Sequence, residues 1–88
     1  MKTTSAAIVK EQIVSRMYRV LYRDFGGEVF DVAKAQDFID TAEAAMAKVL
    51  NESDCLEVAM TVAQIWNDGS VESRVFAFAV CELYKESI

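Results

Sequence analysis

Seven consecutive apolar residues, Val75-Phe-Ala-Phe-Ala-Val-Cys81, stand between Arg74 and Glu82. No other stretch is so uniformly apolar, so this segment is expected at the centre of the core. Its secondary structure turns on what flanks it. Asp68-Gly69 lies between two apolar runs, which is a hairpin signal. A hairpin would alternate Val58, Met60 and Val62 in one strand and Phe76, Phe78 and Val80 in the next. Against it, Glu57, Thr61, Gln64 and Asp68 recur at i, i+4, i+7 and i+11, a polar stripe with meaning only on a helix. Glu72, Ala79, Glu82 and Glu86 also share a sector of about 80° at 3.6 residues per turn. The helical reading is therefore preferred.

The rest of the chain is punctuated in the same way. Helix 1 is expected from Ser5 to Asp24, capped by Thr4 or Ser5 and stopped by Phe25-Gly26-Gly27. Its apolar face is read as Val14, Met17, Tyr18, Leu21 and Phe25. Gln12, Arg16, Arg19 and Arg23 lie opposite, with Val9, Ile13 and Val20 along the edge of the arginine stripe. Helix 2 is expected from Val32 to Leu50 with Asp31 as its cap. Ala35, Phe38, Ile39, Ala42, Met46, Val49 and Leu50 form its apolar side, and Asp37, Asp40, Thr41, Ala44 and Lys48 face away.

Helix 3 follows Asn51-Glu-Ser-Asp54, with Asn51 or Ser53 as cap and Leu56, Ala59, Val62, Ala63 and Trp66 inside. Ser70 caps helix 4, with Glu72 in its first turn. Proline is absent and glycine occurs only three times, which suits helices with short connections. The expected architecture is all-α: a compact bundle of about four helices forming a single domain over residues 1–88.

Chemistry is sparse. There is no histidine, so the commonest general base is missing. Gly26-Gly27 belongs to a helix stop and is no phosphate loop. Cys55 and Cys81 each lie 13 residues from Asp68. An antiparallel helix pair would bring them to one level, facing inward, as two small buried side chains. The alternative is a redox-linked pair. Asp37, Asp40 and Glu43 could hold a hard cation, but they read as a solvated helix face. No catalytic residue, metal or cofactor is expected.

What remains is binding. The net charge of −5 disfavours non-specific contact with nucleic acid. No run of about 18 apolar residues suggests a membrane span, and the N-terminus lacks the apolar core of a signal peptide. The two cysteines fit a reducing cytoplasm. The hydrophobic fraction of 53% is high for a small domain, so apolar surface shared with another chain, a second copy included, is expected.

The candidate partner-binding residues are Arg16, Arg19, Arg23, Val20 and Tyr22 on helix 1, and Asp37 and Asp40 on helix 2. Trp66 is expected in the core. The chain is thus read as a small non-enzymatic, cytoplasmic protein-binding module, an inhibitor or adaptor acting on a larger complex. A phage or mobile-element product blocking a host nucleic-acid-handling or defence complex is one version. The alternatives are a homo-oligomer that binds nucleic acid through the arginine stripe, and a structural self-assembly module.

Overall fold

In the computed structural model, which describes residues 5–26, 29–49 and 52–87, every element is a helix. They are α1 (Ala6–Asp24), α2 (Val32–Met46), α3 (Glu52–Ile65) and α4 (Val71–Ser87). No strand occurs among the described residues, so the Asp68-Gly69 turn joins helices.

Local chemistry sets most helix ends. The Ser5 side chain accepts the Ile8 N–H (3.2 Å) and Asp31 accepts that of Lys34 (3.2 Å). Each satisfies one of the donors left over at a helix start. After Phe25, Gly26 takes φ 61°, the left-handed conformation that ends a helix at little cost in glycine. Thr4 and Gly27 lie outside the described residues.

The turn before α4 is built similarly. Asn67 accepts the Gly69 N–H (3.0 Å), Asp68 that of Ser70 (2.9 Å) and the Ser70 hydroxyl that of Ser73 (3.2 Å). Gly69 takes φ 82°. Two ends differ from expectation. α2 stops at Met46 rather than Leu50, because Lys48 and Val49 donate to the carbonyls three residues back, Ala45 and Met46 (3.2 and 3.1 Å). That is the tighter 3₁₀ pattern that often closes an α-helix. Ser53 falls inside α3 and so is not its cap. Asn51 and Leu50 lie outside the described residues.

Contacts between helices fix their directions. Lys10 near the start of α1 meets Glu43 near the end of α2 (3.1 Å). Phe25 at the end of α1 meets Phe78 of α4, ring centroids 5.5 Å apart, while Arg16 further back meets Glu86. Lys34 of α2 meets Asp68, just beyond α3 (3.0 Å). Neighbouring helices therefore run antiparallel, up-down-up-down. The Cα radius of gyration of 12.2 Å matches the roughly 12 Å expected for a compact chain of this length.

The core contains Val75, Phe76, Ala79 and Val80 from the long apolar run, with Phe76 stacked on Phe38 at 5.9 Å. Phe78 of the same run is 46% exposed. It forms the edge-on contact with Phe25, over which Arg74 places its guanidinium 4.9 Å from the ring centre. The sector expected to be polar on α4 is corrected at two positions. Ala79 is fully buried, and so nearly is Glu72. The Glu72 carboxylate accepts the Asp31 N–H at 2.7 Å, tying the start of α4 to the start of α2.

The inward face of α1 is also corrected. Val9, Ile13, Met17, Val20 and Leu21 are buried, whereas Val14 is half-buried and Tyr18 exposed. The face is turned toward α4, where α1 has its most extensive packing. Arginine permits this, because its aliphatic stem lies along apolar surface while its head stays in water. Cys55 is buried, its thiol directed at the Met46 carbonyl at 3.6 Å. Cys81 is only half-buried, and both thiols are free.

Candidate docking surface

The arginine stripe is largely occupied within the molecule. Arg16 binds Glu86 through both terminal nitrogens, one at 2.6 Å, with Glu82 at 3.5 Å. Arg23 clamps Asp24 (2.6 Å) and also pairs with Glu82. These contacts arise because antiparallel packing lays the arginine edge of α1 beside the acidic edge of α4. The Glu86 hydrogen bond raises the pKa of Arg16, and the same bond holds Glu86 below the ordinary carboxylate value. Arg19 is exposed and makes no ion pair. Val20 cannot line a binding surface on the folded chain, because it is completely buried. Helical projection alone put it at a margin; the α1–α4 contact turned it inward.

The acidic candidates separate as well. Asp40 accepts from Gln36 (2.8 Å) and pairs with Lys10 (3.2 Å), and both interactions lower its pKa, Gln36 the more. Lys10 also reaches Glu43, which raises its own pKa most. Asp37 is exposed, and its carboxylate makes no ion pair. No set of three or more acidic, histidine or cysteine side chains among the described residues is placed to hold a metal.

Tyr22 is 73% exposed, in keeping with its expected place on the surface. It does not stand alone. One turn earlier is exposed Tyr18, and across the α1–α2 boundary are Val32 and Val29, the latter 94% exposed. Tyr18 and Val32 line a small cavity of about 30 Å³, whose walls also include Val14, Phe30, Gln36 and Ile39. That volume admits no more than a water or the tip of a side chain. The result is a cleft between two helices with aromatic and aliphatic edges in water.

A broader groove of about 380 Å³ lies on the other side of α2, lined by Lys34, Asp37, Phe38, Ile65, Trp66, Asn67 and Asp68. Trp66 is corrected here. It is 52% exposed, because α3 ends at Ile65 and the chain turns before the indole can continue the buried stripe.

No family model, curated protein or solved structure matches the chain. The reading of this surface therefore rests on its own geometry. No described helix is long and apolar enough to cross a membrane. Sequence reasoning had missed Tyr18, Val29 and Val32. Tyr18 looks like core by its spacing, and Val29 and Val32 fall where helical periodicity starts. The one available signal was the apolar cluster Val29-Phe30 directly before the Asp31 cap.

Proposed function

We propose that the chain is a non-enzymatic binding module that docks another protein on the α1–α2 face, as an inhibitor or adaptor would. The observation that carries this is the grouping of Tyr18, Tyr22, Val29 and Val32, all exposed, around one apolar cleft. Isolated apolar residues on a surface are ordinary, but a group beside a preformed cleft is the usual makeup of an interaction site. The alternative use of the arginine stripe for nucleic acid has less support, since Arg16 and Arg23 already hold Glu86, Asp24 and Glu82. Counterion release requires cations free to neutralise phosphates.

A photo-crosslinking amino acid at position 22, in cells that make the protein natively, tests the proposal. A discrete protein adduct is expected there, absent from a control at exposed position 57 and lost when Tyr18→Ser is added. Equal labelling at both positions, or none at position 22, would remove this reading.

A further inference from the structure

The cleft is uneven along its length. Tyr18, Tyr22, Val29 and Val32 gather at one end. At the other are Glu11, an exposed carboxylate without an ion pair, and Asp40, exposed on the facing edge of α2. Asp37 stands on the outer ridge of α2 between them. The one cation on this boundary among the described residues is Lys10, and Asp40 and Glu43 already hold it. Arg16 and Arg23 belong to the α4 side, and Lys34 reaches Asp68 on the α3 side. The apolar cleft therefore continues into an acidic mouth whose charge the chain itself leaves uncompensated.

A second copy is a poor occupant. Stacking two such clefts sets carboxylates either on carboxylates or on the apolar end, and neither arrangement supplies a cation. An extended segment has no sheet edge to join. A helix laid between two helices is the occupant that ridge-and-groove packing favours. At 1.5 Å rise per residue, the distance along α1 from Glu11 to Tyr22 is about 16 Å, or about three helical turns.

Building on the docking face argued above, we infer that the α1–α2 cleft receives a short amphipathic helix of a partner protein. Its apolar side covers Tyr18 and Val32, and Lys or Arg residues clustered at one of its ends meet Glu11 and Asp40. Charge of this kind contributes register and partner choice more than affinity.

Three labelled synthetic helical peptides test this by fluorescence anisotropy against the full chain. The first has an apolar stripe at i, i+3, i+4 and i+7 with lysines in one terminal turn. The second replaces those lysines with glutamate, and the third keeps them but replaces the stripe with serine. The lysine peptide is expected to bind about tenfold tighter than the glutamate peptide, as a few exposed charge pairs together can provide. Glu11→Gln and added salt should both narrow that gap. The serine peptide should not bind, and Tyr18→Ser with Val32→Ser should abolish binding while leaving the circular dichroism spectrum unchanged.

If the glutamate peptide binds equally well, the basic-helix assignment fails and the docking face stands. Binding by no peptide, or binding that survives the double variant, overturns both. A sedimentation mass that doubles at high concentration and returns to monomer in Tyr18→Ser with Val32→Ser makes a second copy the occupant and overturns the basic helix.

Discussion

Glu72 is a carboxylate with little access to water, and its partner is the backbone N–H of Asp31. Replacing it with alanine leaves that N–H without an acceptor in a confined place, at a cost of about 1–3 kcal/mol. Glu72→Gln keeps an acceptor oxygen and should lose less; chemical denaturation of the two variants gives the comparison. Phe76 is the largest fully buried side chain, and Phe76→Ala should cost about 3–5 kcal/mol. Tyr22→Ala, on the surface, should stay within about 0.5 kcal/mol of the parent. The sequence announced Phe76 by its place in an unbroken apolar run. It could not announce Glu72, because a glutamate in a first helical turn usually points at solvent, and only the approach of α2 made it an internal acceptor.

Helices were readable where their ends carry their own chemistry. Ser5, Asp31 and Ser70 act as caps through side-chain oxygens three residues from the N–H they accept, a strictly local relation. The rotation of a helix about its axis is not local. α1 carries apolar residues through well over half its circumference, so periodicity admits several inward faces, and packing against α4 selected the one containing Val9, Ile13 and Val20. The docking face was obscured by the same uncertainty: Tyr18 was expected in the core and Val20 at the margin, and they exchange places. The two cysteines give a check on the rotation of α3 and α4. Native-state thiol titration should modify half-buried Cys81 readily and buried Cys55 slowly, with both reacting at once in denaturant. Equal native rates would mean that the α3–α4 pair is rotated differently.

Charge organises the molecule as a whole. Ion pairs join α1 to α2 through Lys10, α1 to α4 through Arg16 and Arg23, and α2 to the α3–α4 turn through Lys34. Their carboxylates respond together. Asp24 is held below its ordinary pKa of 3.8 by Arg23, Asp40 by Gln36 and then Lys10, and Asp68 by Ser70 and then Lys34. Glu86 is held below 4.5 by Arg16. A carboxylate with a depressed folded pKa binds its proton more readily in the unfolded chain, so stability falls as pH falls. The contribution is fully present above the unfolded values, declines below about pH 5 and disappears once the folded values are passed. The lysines act at the opposite end. Lys10 and Lys34 are raised above 10.5 by Glu43 and Asp68 respectively, so their contribution persists below that pH and is lost above it. The melting temperature should therefore have a plateau from about pH 5 to 10 and fall on both sides. Added salt should lower the plateau only slightly, since exposed pairs are individually weak and screened. Thermal melts of the parent and of Arg16→Gln across this range separate the contributions. The variant should lose part of the acid-side slope, because Glu86 then titrates nearer 4.5, while its alkaline limb, set by Lys10 and Lys34, should stay where it was.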